Sequence, residues 1–432
     1  MARRSAFRLF TAAAGALALA GCGLGDGPQT GSGVDTSGEV KGDITFQTLQ
    51  LSPTFDGYLR GVIAAFEKDH PGTKVTWTDI PSNSAARKTN ADAVAGSLPD
   101  VMDLDTGTLA PLARKGLVVD MGAAANDLKG GFVESAWKSV SFGGSSASAL
   151  PWYLNTPVLM KNSALLEQAG LGSAPDPASY PELVEASAKI AAATGKAGFQ
   201  PTQLGFHTYL RSLGVPLVND QGTEAVVRTP EAIAFVESLA KLQKSGGIPA
   251  DAVSAQQRGE IETFQEGQTA YLETGGSRLK IIQQNAPAVY ARTTLTKPLA
   301  VNGKGTWVVA HGVAVPKASK NLPTAVAFAK FLTSADNQLA LAKQSSVFPS
   351  TAKSLEDAFF TAEGGDLVAQ ARAISAASLK NGTTNATPAA VDSEFTTALW
   401  SSVQRAIVGE VPADQALADA ETKLNSILKA RQ

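Results

Sequence analysis

The sequence predicts an α/β protein of two lobes, each a mainly parallel sheet flanked by helices, with multiple hinge crossings between them. Three observations carry that expectation. From Asp43 to Leu104 the pattern reads strand, helix, strand, helix, strand, as in an open parallel sheet with right-handed crossovers. The chain of 432 residues is 44% hydrophobic and 18% charged, which is enough apolar material for two cores. The segment Leu150-Pro151-Trp152-Tyr153-Leu154-Asn155-Thr156-Pro157 is bounded by two prolines. Each proline fixes its own φ and biases the preceding residue toward extended backbone. Such a segment suits a strand that crosses between lobes with side chains in the cleft.

Taken in order, Arg3, Arg4 and Arg8 precede an apolar run from Leu9 to Ala20 that ends in Gly21-Cys22. The run is too short to span a bilayer, so residues 1–21 read as a signal peptide. Small residues ahead of a cysteine resemble a lipobox, in which the cysteine is lipidated and becomes the mature N-terminus. Cys22 is the single cysteine of the chain, so it has no internal disulfide partner. Residues 22–42, rich in Gly, Ser, Thr and Asp, read as a flexible tether. Asp43 to Leu51 is a strand, and Asp56 to His70 a helix with Leu59, Val62, Ile63 and Phe66 on one stripe, stopped by Pro71-Gly72. A strand through Val75 and Trp77, a helix from Ala85 to Ala95 and a strand from Asp100 to Leu104 follow. Open α/β sheets bind ligands beyond the carboxyl ends of their strands. That rule singles out Gln50, Ser52, Asp105 and Thr106.

After the crossing, Asn162 is placed to cap a short helix that Gly170 ends. Ser179 and Glu182 have capping-box spacing ahead of the helix through Leu183 to Ala193. Gly214 to Thr229 reads as a loop and hairpin, and Thr229-Pro230 starts a helix to Lys244. Leu279 to Asn285 is a short helix. Lys297-Pro298 is a second crossing into a strand from Gly305 to Pro316. Helices from Ser319 to Leu332 and Ser334 to Lys343, then two in the tail, complete the chain.

The segment Pro151-Trp152-Tyr153, Asn155-Thr156, an apolar run, Asn162, an apolar helix and Ala169-Gly170-Leu171 together resemble a known pattern. It is that of the extracellular solute-binding proteins of family 1, relatives of maltose-binding protein that serve bacterial carbohydrate ABC transporters. Phe66 to Pro71, Leu98 to Val101 and Leu112 to Asp120 continue the likeness. Phe264, Gly267, Ala270 and Gly275 match a further stretch, in which Ser277 stands where relatives often carry tryptophan. Ser345 to Ser350 resembles a third crossing. The resemblance implies the type II periplasmic-binding-protein fold, with an N-terminal lobe of residues 43–152 plus 297–348 and a C-terminal lobe of 153–296 plus 349–432. It also implies an extracytoplasmic monomer, anchored to the cell membrane by lipidated Cys22. Such a protein captures a carbohydrate between its lobes and delivers it to permease subunits that work with a cytoplasmic ATPase. It needs no cofactor and is not an enzyme.

Residue chemistry agrees with a binder. Formal net charge is −2, without the basic surplus that nucleic acid requires. The three histidines, at 70, 207 and 311, form no metal-binding spacing, and no nucleophile elbow or Walker loop is present. His70 ends a helix, while His207 and His311 either reach the cleft or pack at the surface. Asp103 and Asp105 share a strand face. As a pair they can bind sugar hydroxyls, serve structure, or, least in keeping with the rest, flank a glycosidic bond. Trp152, Tyr153 and Trp307 are candidates to stack on a sugar ring, with core packing as the alternative; Trp77, Trp137 and Trp400 are assigned to the core. The expected ligand-binding set is Gln50, Ser52, Asp103, Asp105, Thr106, Trp152, Tyr153, Asn155, Gly275, Ser277, Trp307, His311, Gly312 and Phe348. Two other functions remain open: a binder of another polar solute, a glycerol phosphoester or peptide, with Arg211 and Arg278 the suggestive cations, or an exported glycoside hydrolase.

Overall fold

In chain order the strands are β1 (Gly42–Leu49), β2 (Thr73–Ile80), β3 (Val101–Asp105), β4 (Leu150–Asn155) and β5 (Pro157–Asn162), then a hairpin of β6 (Leu217–Val218) and β7 (Ala225–Val226). They continue as β8 (Tyr271–Gly275), β9 (Thr293–Thr296), β10 (Trp307–Ala314), β11 (Phe348–Pro349) and β12 (Thr383–Thr384). The computed structural model describes residues 35–431 apart from 143, 254–258, 302, 304, 363, 381, 385–387 and 389. The signal-peptide and Cys22 expectations lie outside those residues. Among the described residues, no helix is long and apolar enough to cross a membrane.

The first sheet runs β11–β4–β10–β3–β1–β2, with β12 pairing to β10. The parallel pairing expected from the opening repeat is present between β1 and β2 and between β1 and β3. Beyond β3 the sheet is antiparallel, through β10, β4 and β11. The second sheet, β8–β5–β9, is antiparallel throughout. Apart from the short β10–β12 pair, parallel order is therefore confined to the helix-linked opening repeat. β4, β10 and β11 are not joined to it by such crossovers, and nothing obliges them to share its direction.

Helix Asp56–Asp69 buries Tyr58, Leu59, Val62 and Phe66 under the first sheet. Asn162 Oδ1 accepts from Leu165 N at 3.4 Å, and Gly170 takes a left-handed φ of 69° past that helix, where a Cβ would be strained. Ser179 Oγ accepts from Glu182 N, and Glu182 reaches back to Ala178 N at 2.8 Å.

Two large cores result. One gathers Phe46, Leu104, Trp152, Leu154, Val313 and Phe328 around the first sheet. The other gathers Leu183, Phe206, Leu239, Phe395, Trp400 and Leu424 from the middle and tail of the chain. A smaller cluster on β5 and β8 holds Val158, Met160, Phe264 and Leu272. Chain 150–155 belongs to the first sheet and 157–162 to the second, so Thr156 is the residue between them. Helix Leu367–Lys380 packs Ala371 into the small cluster and Ala376 and Leu379 into the first core.

Candidate functional site

Successive side chains of a strand point to opposite faces. On β4 that places Tyr153 and Asn155 on one face and Trp152 and Leu154 on the other. On β10, Trp307, Val309 and His311 share the half-exposed face, between buried Val308, Ala310 and Gly312. Register pairs His311 with Tyr153 on one side and Asp105 on the other. Asp105, His311 and Tyr153 thus form a row across three strands.

Asp103 anchors that row from a fully buried position. Its Oδ2 accepts from Leu49 N and from the Tyr153 hydroxyl, each at 3.3 Å. Its Oδ1 lies 2.9 Å from His311 Nδ1, and the Tyr153 hydroxyl lies 2.7 Å from the same nitrogen. A carboxylate only accepts, so Nδ1 carries the proton. The Tyr153 and His311 rings stack at 4.4 Å. Burial alone would lower the His311 pKa, but the charge and hydrogen bond of Asp103, with Asp105 beyond, raise it instead. Burial, then Asp103, push the Tyr153 hydroxyl well above its ordinary value. Asp105 is spent locally: it caps helix Thr106–Arg114, accepting from Thr108 N and Oγ1, both at 2.9 Å.

Two cavities meet at the crossing, sharing Asn155, Thr156 and Gly275. The first, about 320 Å³, is walled by Trp307 and Val309 of β10, by Tyr180, Phe199, Tyr209 and Tyr271, and by the polar groups of Gln200, Thr208, Glu260 and Glu273. Glu273 accepts from the Tyr180 hydroxyl and from Leu299 N. Burial raises its pKa, and those two hydrogen bonds oppose the rise. The second cavity, about 430 Å³, is bounded by Thr54, Phe55 and Phe348 on one side and by Ser277, Lys280 and Arg372 on the other. Both volumes fall in the range of small-molecule sites. A third, wider hollow of about 710 Å³ lies over Gln50, Ser52, Arg60, Trp77 and Asp79. Gln50 enters it from a left-handed φ of 55°.

The expected residues therefore divide. Asn155, Gly275 and Trp307 line the first cavity; Asn155, Gly275, Ser277 and Phe348 line the second; Gln50 and Ser52 line the third. Asp103, Asp105, Thr106, Tyr153 and His311 line none of the three, although Tyr153 and His311 continue the face of Asn155 and Trp307. Trp152 corrects the stacking expectation. It has no exposed surface and packs against Phe46 and Tyr153 at ring distances of 6.2 and 5.2 Å, because it occupies the opposite face of β4. Gly312 is likewise a packing residue: a Cβ there would lie 2.9 Å from Ala149 Cβ and 3.1 Å from Val140 Cγ1. Trp77, assigned to the core, does pack against the first core, and it also lines the third hollow beneath Arg60, 5.6 Å away. Of the suggested cations, neither Arg211 nor Arg278 borders these cavities, whereas Lys280, Lys343 and Arg372 do. Sequence reasoning passed over Phe199-Gln200-Pro201-Thr202, although it carries the same signal as the crossing, an aromatic residue beside a proline-stiffened segment.

The family described as bacterial extracellular solute-binding protein matches residues 52–339. A crystal structure of a "putative oligosaccharide periplasmic-binding protein" from Synechococcus sp. MITs9220 superposes with a TM-score of 0.81 at 31% identity, covering 90% of this chain and 99% of that one. The GacH receptor of Streptomyces glaucescens, a structure solved unliganded and with acarbose, shares the fold with a TM-score of 0.68 at 22% identity, over 90% and 99% of the two chains. A "putative binding protein" of Brucella abortus is 25% identical over 307 residues, 68% of this chain and 73% of that one.

Proposed function

The chain belongs to the bacterial extracellular solute-binding proteins, a family of binders rather than enzymes, and from that premise we propose that it captures a carbohydrate for an ABC importer. One observation carries the choice of ligand: the first cavity sets the Trp307 indole and four other aromatic rings among carboxylates, amides and hydroxyls at the crossing. A pyranose has apolar C–H faces that flat rings cover, while its rim of hydroxyls needs acceptors such as Glu260, Glu273 and Gln200. Gln50, Ser52, Asn155, Gly275, Ser277, Trp307 and Phe348 are the contacts we assign to ligand, with His311, held by Asp103 and Tyr153, behind them. The parts of the chain built around the first sheet and around the second, which meet at Thr156, act as the two closing lobes of a monomer, and no cofactor takes part.

The test is titration of the purified chain with mono- and oligosaccharides, read by calorimetry and by melting midpoint, since a ligand of the folded state raises that midpoint. A saccharide is expected to bind without being altered. Trp307→Ala removes the stacking surface and should cost about 2 kcal/mol of binding, roughly thirtyfold in affinity. Affinity unchanged by Trp307→Ala for every saccharide that binds would remove the stacking site.

Residues 1–21 and the segment from Cys22 up to β1 complete the proposal as export signal and tether. Cys22, the single cysteine, carries the lipid that holds the protein at the outer face of the membrane, where permease subunits and their cytoplasmic ATPase receive its cargo. Cys22→Ser should abolish lipid labelling and move the protein to the soluble fraction. A labelled, membrane-bound Cys22→Ser protein would end the lipoprotein assignment.

A further inference from the structure

The two cavities at the crossing have opposite electrical character. Among the described residues, the first is lined by Glu260 and Glu273 and by no cation, and the second by Lys280, Lys343 and Arg372 and by no carboxylate. The chain as a whole has a formal net charge of −2, so the second cavity is not the local expression of a basic surface.

Arg372 is held for a purpose its present contacts do not exhaust. Its Nε donates to the Phe359 carbonyl at 2.7 Å, and its guanidinium lies 3.7 Å over the Phe359 ring. Both restraints act on one edge and one face of the group. The two terminal nitrogens carry no hydrogen-bond or ion-pair partner among the described residues, and the residue lines the cavity. A guanidinium fixed at Nε with its terminal nitrogens unspent is a pre-set fork, the geometry that grips the two oxygens of a carboxylate or phosphate. Lys280, in the same lining, also has an ammonium without a partner among the described residues, whereas Lys343 is paired with Asp357 at 3.0 Å. Helix Leu367–Lys380 carries Arg372 next to Ala371, which packs in the β5–β8 cluster, while its later residues pack in the first core. The fork therefore stands at the junction that a closing ligand must bridge.

We propose that the second cavity binds an oxyanion, a carboxylate or a phosphate ester, borne by the captured solute, whose neutral sugar portion occupies the first cavity. The solute is then an acidic saccharide long enough to pass Asn155 and Gly275, with its anionic end on Arg372 and Lys280. This rests on the carbohydrate reading for the first cavity, but the anion site stands on its own residues.

The experiment titrates the full-length chain, at constant ionic strength, with four probes: maltotriose, trigalacturonate, glucose 6-phosphate and inorganic phosphate. Wild type is compared with Arg372→Lys, which keeps the charge and removes the fork, and with Lys280→Gln, which changes an exposed side chain. At least one anionic probe should bind, about tenfold more weakly in Arg372→Lys, as loss of a bidentate pair requires, and severalfold more weakly in Lys280→Gln. Preference for trigalacturonate identifies a carboxylate, and preference for glucose 6-phosphate a phosphate ester. Inorganic phosphate that binds and depends on Arg372, with no saccharide binding, keeps the anion site and rejects the carbohydrate reading. Binding of maltotriose alone, indifferent to both variants, keeps the carbohydrate reading and overturns the anion site. Anion binding that is equal in wild type and both variants overturns it as well.

Discussion

His207 and His311 make opposite demands on the pH of the solution. His207 is half-buried on helix Gln203–Ser212, and its Nδ1 has no hydrogen-bond partner among the described residues. Burial, with the charge of Arg211, lowers its pKa from 6.5 to about 4. Between those values the unfolded chain holds a proton that the folded chain refuses. The stability His207 permits is therefore complete above pH 6.5 and lost as pH falls toward about 4, by at most about 3 kcal/mol. His311 has its pKa raised by Asp103, so its contribution is complete below its unfolded value and is lost as pH rises through its folded one. Urea midpoints across this range should fall on the acid side for wild type and stay flatter for His207→Gln. His311→Gln should remove a decline on the alkaline side. Equal acid slopes in wild type and His207→Gln would show that another group is responsible.

Strand β4 shows what was legible in the sequence and what was not. Pro151 and Pro157 announced an extended crossing, and the chain does pass from one sheet to the other within Asn155–Pro157. Their spacing did not say which face of the strand would meet the cleft. Every side chain from Leu150 to Leu154 is buried, so the alternation that normally marks a solvent face was missing, and Trp152 attracted a role that its face cannot perform. On β10 the alternation survived, with Trp307, Val309 and His311 each half-exposed, and the aromatic residue chosen there does line a cavity. Parallel pairing was readable where helices separate β1, β2 and β3, because local connection dictates it. The direction of β10 depends on a neighbour some two hundred residues away in the chain, and no local pattern encodes that. The oxyanion fork was hidden for the same reason: Arg372 owes its orientation to Phe359 and its cavity to Ser277 and Lys280, three segments that only the folded chain brings together.

For the whole molecule, cavities walled from both sheets imply that ligand capture and shape are coupled. Trp307 and Phe348 belong to the first sheet, Gly275 to the second, and Thr156 lies between the sheets. A solute touching all of them gains contacts when the halves approach that it lacks when they part, so it favours the closed arrangement by that difference. Moving the population from 1:99 to 99:1 requires about 5.5 kcal/mol of differential binding, more than one stacked ring supplies. Contacts from both halves are therefore needed together. Small-angle scattering of the purified chain should show a smaller radius of gyration at saturation with the bound saccharide than without it. Trp307→Ala, saturated at higher ligand concentration, should compact less completely, because one of the contacts that separates the two states is gone. Identical scattering from free and saturated wild-type protein would mean that capture occurs without closure, and a transporter would then have to recognise the ligand itself rather than the shape of its carrier.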